Sequence, residues 1–165
     1  PRKTETLVYA QLSNRKFEND TQETLPFEER RSGKFQLVGL AQILHSKSGR
    51  TSVKVGFQHD EDETDGIDYA YEGNAPLVGI NSSLGNGYSL AVDGRFHTRQ
   101  YLNENAIFGG LRRDEELTVD TRISKLLKGS ATELFVEHLR DRSKSNLALF
   151  DYDRQVTSAG AVSRF

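Results

Sequence analysis

Alternating charges are the feature of this sequence best suited to chemistry. Between Leu90 and Arg99, apolar or small residues alternate with Asp93, Arg95 and His97. Successive side chains of a β-strand point to opposite faces, so this spacing places Asp93, Arg95, His97 and Arg99 on one face of one strand. Because the charges have both signs, we expect them to form ion pairs.

Two further segments have the same period of two. Segment 51–58 alternates valine and phenylalanine with Lys54 and polar residues, and segment 117–124 alternates aliphatic residues with Asp120 and Arg122. Such alternation predicts strands with one apolar and one polar face. Weaker strand patterns bring the predicted number to about eight; they cover 4–14, 34–45, 76–84, 131–141 and 154–165.

The connections between these strands are of two kinds. Segments 46–49, 85–87 and 128–130 combine glycine with serine or asparagine, as tight turns do. The remaining connections are long and polar, and cover 15–32, 59–75, 101–114 and 142–153. Short periplasmic turns and long outer loops are typical of outer-membrane β-barrels.

Composition agrees with such a barrel. Hydrophobic residues make up 35% of the 165 residues, and the longest apolar segment, 35–44, is about half as long as a membrane-spanning helix requires. A barrel that alternates lipid-facing and inward-facing residues can be hydrophilic on average. We therefore predict an all-β fold, an antiparallel transmembrane β-barrel of about eight strands that forms one domain over residues 1–165. The net charge of −2 gives no reason to expect nucleic acid.

If the apolar residues face lipid, the charged residues of the same strands face the lumen. In a narrow eight-stranded barrel they would form an ion-pair network, because unpaired buried charges are costly. In a wider barrel, to which this chain contributes only some strands, they would line an aqueous pore. The sequence leaves both open. The predicted lumen charges are Lys54, Asp93, Arg95, Arg99, Asp120, Arg122, Glu133 and Glu137.

Catalytic and metal-binding patterns are weak. His45 with Ser46, and the serines of segment 143–145, lie near predicted strand ends, where a lipid-modifying hydrolase can place a base and a nucleophile. The acidic run 60–65 lacks the ligand spacing of a calcium loop and is predicted to be a solvated outer loop. Cysteine is absent. We expect no catalytic residue, no metal site and no cofactor.

The last third of the chain resembles a known class of proteins. The residues that carry the resemblance are Gly-Leu-Arg-Arg-Asp at 110–114, Ser-Lys-Ser-Asn-Leu-Ala-Leu-Phe-Asp-Tyr-Asp-Arg at 143–154, and the final strand that ends on Phe165. They resemble the C-terminal region of bacterial outer-membrane barrels that follow periplasmic tetratricopeptide repeats, including surface lipoprotein assembly modifiers. This chain lacks the repeat domain.

The resemblance implies a membrane barrel, or the last eight strands of a larger one, that helps lipoproteins, polysaccharide or other cargo to reach the cell surface. It also implies that Val162, Arg164 and Phe165 form the C-terminal signal read by the barrel-assembly machinery. An exposed last strand can add to another sheet edge in this way.

We therefore expect a non-catalytic protein of the Gram-negative outer membrane that acts as a pore, a translocation or surface-export component, or an anchor. Its expected partners are outer-membrane lipid and lipopolysaccharide, the assembly machinery and exported cargo. One alternative is an outer-membrane lipid-modifying enzyme, which requires a serine or acidic residue within reach of a histidine at one rim. Another is a soluble lipocalin-like binding barrel, which requires an apolar lumen.

Overall fold

Almost all of the described chain is β-strand. A computed structural model describes residues 3–16, 32–66 and 68–163. One 3-10 turn, Ala148–Phe150, is the only helical element of these residues, so no helix among them is long and apolar enough to cross a membrane. The strands are β1 (Thr4–Lys16), β2 (Ser32–His45), β3 (Thr51–Thr64), β4 (Tyr71–Gly85), β5 (Tyr88–Glu104), β6 (Leu111–Leu126), β7 (Thr132–Ser145) and β8 (Tyr152–Ser163).

These strands form one antiparallel sheet in chain order, β1 to β8. The predictions of an all-β fold and of eight antiparallel strands are confirmed. These eight strands do not close into a barrel by themselves, because β1 pairs only with β2 and β8 only with β7 in the described residues. A closed eight-stranded cylinder has an interior that side chains just fill. One face of this sheet carries long side chains such as Arg99, Tyr101 and Arg122. An open sheet leaves more room for them than a closed eight-stranded cylinder does.

The strands also extend further than predicted. The connections at one end, which we call the loop end, span only 65–70, 105–110 and 146–151; the first predicted loop lies largely outside the described residues. Connections at the other end, the turn end, span 46–50, 86–87 and 127–131. Sequence reasoning missed these extensions because both faces are polar near the loop end, so the alternation of apolar with polar residues stops there.

Burial on the two faces is inverted relative to a soluble protein. Register partners on neighbouring strands point to the same face of the sheet. Leu40, Phe57 and Pro76 are register partners across β2, β3 and β4, and they lie on a face of exposed apolar side chains. The opposite face buries polar groups such as Asp60 and Glu116. We call these the apolar face and the polar face. Large exposed residues of the apolar face include Val8, Leu40, Val55, Phe57, Val78, Ile80, Phe96, Leu117, Ile123, Leu134 and Val136.

The apolar belt crosses the strands obliquely. The register row that contains Val8 of β1 and Phe57 of β3 reaches Arg142 on β7, whereas the apolar residues of β7, Leu134 and Val136, lie nearer the turn end. The belt therefore shifts by about one residue per strand, as expected when strands tilt by about 35–45° against a level belt.

A close approach on the polar face requires glycine at position 39. The ring of Tyr9 on β1 covers Gly39 on β2, and a Cβ atom at Gly39 would overlap that ring. An aromatic side chain that covers a glycine on a neighbouring strand also helps to hold the register of the pair.

We predict that Gly39→Ala destabilises the sheet by about 1–3 kcal/mol, because the new methyl group displaces the Tyr9 ring. The control is Gly33→Ala on the same strand and face, where the nearest atom to a Cβ lies 3.4 Å away. The measurement is urea unfolding of detergent-refolded protein, followed by far-ultraviolet circular dichroism. Equal midpoints for the two variants would contradict the prediction.

Candidate functional site

The structure brings the predicted lumen charges onto one face. Asp93 is the register partner of Gly79 on β4 and of Asp120 on β6, and Gly79 is the partner of Lys54 on β3. Partners in an antiparallel sheet point to the same side. By the same register, all eight lie on the polar face: Lys54, Asp93, Arg95, Arg99, Asp120, Arg122, Glu133 and Glu137.

Several of these charges pair with one another. Lys54 Nζ lies 2.5 Å from Asp93 Oδ1 across the intervening strand β4. Arg122 lies 3.3 Å from Glu133 and 3.6 Å from Glu137. These pairs are one-third exposed or more on at least one side, so each contributes little to stability.

A second group of polar residues lies nearer the loop end; of its members, the sequence had indicated only His97 and Arg99. The acidic run 60–65 is not a solvated loop, because Asp60 and Asp62 belong to β3 and are buried on the polar face. Period-two alternation continues through this run, and this pattern could have indicated that the strand continues. We call the group the loop-end cluster; it comprises Asp60, Tyr71, His97, Arg99, Glu116, Asp141, Tyr152 and Arg154.

A buried acid–histidine contact forms one half of this cluster. His97 Nε2 on β5 lies 2.9 Å from Asp60 Oδ1 on β3, and each side chain is 3% exposed. Gly73 on β4 lies between them, and a Cβ there would overlap His97 and lie 3.0 Å from Asp60 Oδ1. The Tyr71 ring meets His97 edge-on at 6.4 Å. Glycine at position 73 is therefore what allows β3 and β5 to make contact across β4.

Glu116 on β6 is the centre of the other half. It accepts hydrogen bonds from Arg95 Nη2 at 2.7 Å, Arg99 Nη2 at 3.1 Å and Tyr152 Oη at 3.2 Å. Tyr152 Oη also lies 3.3 Å from Asp141 Oδ2. Arginines of β5 and the tyrosine of β8 thus meet at one carboxylate on the strand that lies between β5 and β7.

The electrostatics of the cluster follow from burial and pairing. Its groups lie on the loop-end side of the apolar belt. Burial alone would raise the pKa of Glu116, but the positive charges of Arg99 and Arg95 lower it below its ordinary value. Burial, together with the negative charge of Glu116, raises the pKa of Tyr152 to about 12. Burial likewise raises the pKa of Tyr71 well above its ordinary value. The tyrosines therefore stay neutral hydrogen-bond donors at physiological pH.

Arg112 closes the loop end of the polar face. Its guanidinium donates to Asp114 at 3.0 and 2.6 Å. It also lies over the Phe150 ring at 3.4 Å and the Tyr101 ring at 4.4 Å. The arginine thus joins the 3-10 turn before β8 to β5 and β6 through a charge pair and cation–π contacts.

The residues suggested for catalysis do not meet. His45 and Ser46 lie at the turn end, whereas 143–145 lie at the loop end. His97 has an acidic neighbour, as the enzyme alternative requires, yet no described hydroxyl group forms a hydrogen bond with its ring nitrogens. Within the described ranges, no group of three or more histidines, aspartates and glutamates has the arrangement of a metal site.

The predicted C-terminal signal is only partly described. Val162 lies near the end of β8, is exposed, and is the register partner of Glu133. Arg164 and Phe165 lie outside the described residues.

Comparisons with known proteins do not add to this site. No protein-family model matches the chain, and neither a curated protein nor a solved structure matches it. The geometry itself describes a long polar face on which charges of both signs pair across strands.

We predict that the Arg99–Glu116 pair is coupled more strongly than the Lys54–Asp93 pair. The side chains of the first pair are 24% and 8% exposed, and those of the second are 34% and 46% exposed. Double-mutant cycles to alanine, read from urea unfolding in detergent, should give about 1–3 kcal/mol for the first pair and below about 1 kcal/mol for the second. Coupling of equal size in both cycles would contradict this ranking.

Proposed function

We propose that this chain contributes eight consecutive strands to a transmembrane β-barrel of the Gram-negative outer membrane, wider than eight strands, that acts as a pore, translocation or surface-export component without catalysis. The observation that carries the proposal is the inverted burial of the two faces. Exposed apolar side chains form a belt on one face, while charged groups are buried on the other. A soluble sheet would bury the apolar face instead.

The oblique course of the belt supports insertion into a bilayer. A soluble sandwich packs its apolar face against a second layer. Its apolar residues therefore need not shift from strand to strand to stay at one height. A lipid-facing belt must stay level, because the bilayer core has a fixed thickness. The belt on this sheet keeps level by moving about one residue per strand along the ladder.

The open edges support a wider barrel. Unpaired backbone groups of β1 and β8 would be costly in hydrocarbon, so strands beyond these edges are needed to satisfy them, supplied by other copies of the chain when it is refolded alone. In a wider cylinder the polar face lines a lumen large enough for Arg99, Tyr101 and Arg122. The eight lumen charges named from the sequence would then border water.

Neither alternative fits as well. A lipocalin-like barrel needs an apolar interior, whereas the polar face buries Asp60, Asp62, His97, Asp114 and Glu116. A lipid-modifying enzyme needs a nucleophile beside its base, and His97 has no hydroxyl partner in the described chain. In our proposal, Val162, Arg164 and Phe165 form the signal for the barrel-assembly machinery, and lipid and exported cargo are the other partners.

We predict that labelling of single-cysteine variants in phosphatidylcholine vesicles will alternate along the strands. The chain has no native cysteine, so each variant has one thiol. Ala91→Cys and Thr118→Cys lie on the polar face, and the adjacent Val92→Cys and Val119→Cys lie on the apolar face. A water-soluble maleimide should label the first two variants at least about tenfold faster, because the last two face lipid.

Each neighbouring pair is its own control, since its members share a strand and a depth. Fluorophores attached at the apolar-face positions should be quenched by brominated lipid, and those at the polar-face positions should not. Equal labelling and equal quenching within each pair would refute the proposed membrane orientation.

A further inference from the structure

Basic residues are concentrated on one part of the apolar face, beyond the belt towards the loop end. On β7 every second residue is basic: His138, Arg140, Arg142 and Lys144 are all exposed on this face. Arg113 of β6 is exposed on the same face, two residues beyond Glu115, the register partner of Lys144. We call Arg113, Arg140, Arg142 and Lys144 the basic patch.

The patch has more cations than counter-charges: Glu115 is the register partner of Lys144, and Asp153 is the register partner of Arg142. Arg140 Nη2 pairs with Asp153 Oδ2 at 2.9 Å. Within the described part of the chain, no carboxylate lies within 4.0 Å of the charged groups of Arg113, Arg142 or Lys144. Surface cations of a folded domain are ordinarily solvated, so the lack of partners alone says little. Their location is what makes them informative.

The patch directly adjoins the apolar belt. Arg142 is the register partner of Leu117, which belongs to the apolar belt, and Lys144 is the partner of Glu115. On β7 itself, the apolar residues Leu134 and Val136 lie nearer the turn end. A lipid whose acyl chains lie against the belt would therefore place its headgroup at these cations.

We call the part of the apolar face beyond the belt, towards the loop end, the margin. Its charge is reversed on β3 and β4, which lie nearer the other edge of the sheet than the basic patch does. On β3 and β4 the apolar-face residues beyond the belt include the half-buried Glu61 and the exposed Glu63 and Glu72, with Lys34 as their neighbour on β2. The cations of β6 and β7 are therefore the densest group at the loop end of this face, whereas the lysines of β1 and β2, Lys16 and Lys34, lie beside the carboxylates of β3 and β4. This lateral difference favours a ligand that binds at one position.

We propose that the basic patch binds the phosphate groups of an outer-leaflet glycolipid of the lipid A type. Guanidinium groups bind phosphate through paired, charge-assisted hydrogen bonds, and an ammonium adds a further donor. The belt below supplies the apolar surface for the acyl chains. This inference rests on the proposed membrane function and names the lipid that the barrel would hold.

The test compares two doubly substituted proteins of equal charge change. Arg142→Ala with Lys144→Ala removes the centre of the patch, whereas Lys16→Ala with Lys34→Ala removes two exposed cations of the same face at the acidic side of the margin. Binding of lipid A to detergent-refolded protein is measured by native mass spectrometry. The patch variant should bind about tenfold more weakly or worse, while the control variant binds as the unsubstituted protein does.

Two further arms identify the ligand. Arg142→Lys with Lys144→Arg keeps the charge and should restore most of the binding. Inorganic phosphate at millimolar concentration should not displace lipid A, because a site for the lipid also uses the apolar belt. Full displacement by phosphate would mean a site for free phosphate and would overturn the lipid assignment, as would equal weakening in the patch and control variants.

An assay of the chain's insertion into lipid vesicles tests the proposed function independently of this inference. The unsubstituted chain is refolded into phosphatidylcholine vesicles, which carry no net negative lipid, and protease protection of the strands is measured. Insertion with no effect of the patch variant on lipid A binding overturns the lipid site and leaves the membrane function intact. Failure to insert overturns both.

Discussion

The antiparallel hydrogen-bond ladder is the constraint on which the rest of this structure depends. Because side chains alternate strictly along a strand, the register decides for all eight strands at once which residues lie on the apolar face and which lie on the polar face. A slip of one residue between β5 and β6 would move Glu116 to the apolar face and Leu117 to the polar face. The burial of the charges and the exposure of the belt therefore depend on the same register.

Contacts across a whole strand reinforce that register. Lys54 reaches Asp93 over β4, and Asp60 reaches His97 over the same strand, because glycines rather than larger residues lie beneath the two pairs. Tyr152 similarly reaches Glu116 from β8 over β7. Such contacts satisfy charges that no second layer covers among the described residues, and they favour a curved sheet with the polar side chains converging.

The two faces also differ along the sheet, and this matters for the proposed function. Beyond the belt, the apolar face carries carboxylates on β3 and β4, whereas on β6 and β7 arginines and a lysine outnumber the one carboxylate, Glu115. A barrel built from such strands would present different charges to lipid around its circumference. The polar face, by contrast, mixes both signs throughout, which suits a lumen through which cargo of varied charge passes, and not a filter for one ion type.

Period-two alternation by itself determined the all-β fold, the number of strands and the shared face of the eight charges predicted to face a lumen, because each depends only on neighbours along the chain. The partners of Arg95 and Arg99, the burial of Asp60 and the tilt of the belt were decided by tertiary structure, because they depend on register between strands. Strand ends near 60–64 and 101–104 were lost from the sequence where both faces became polar. Whether the eight strands close into a barrel was also decided by tertiary structure. It depends on the space that side chains such as Arg99 and Tyr101 need on the polar face, and this space depends on which strands bring them together.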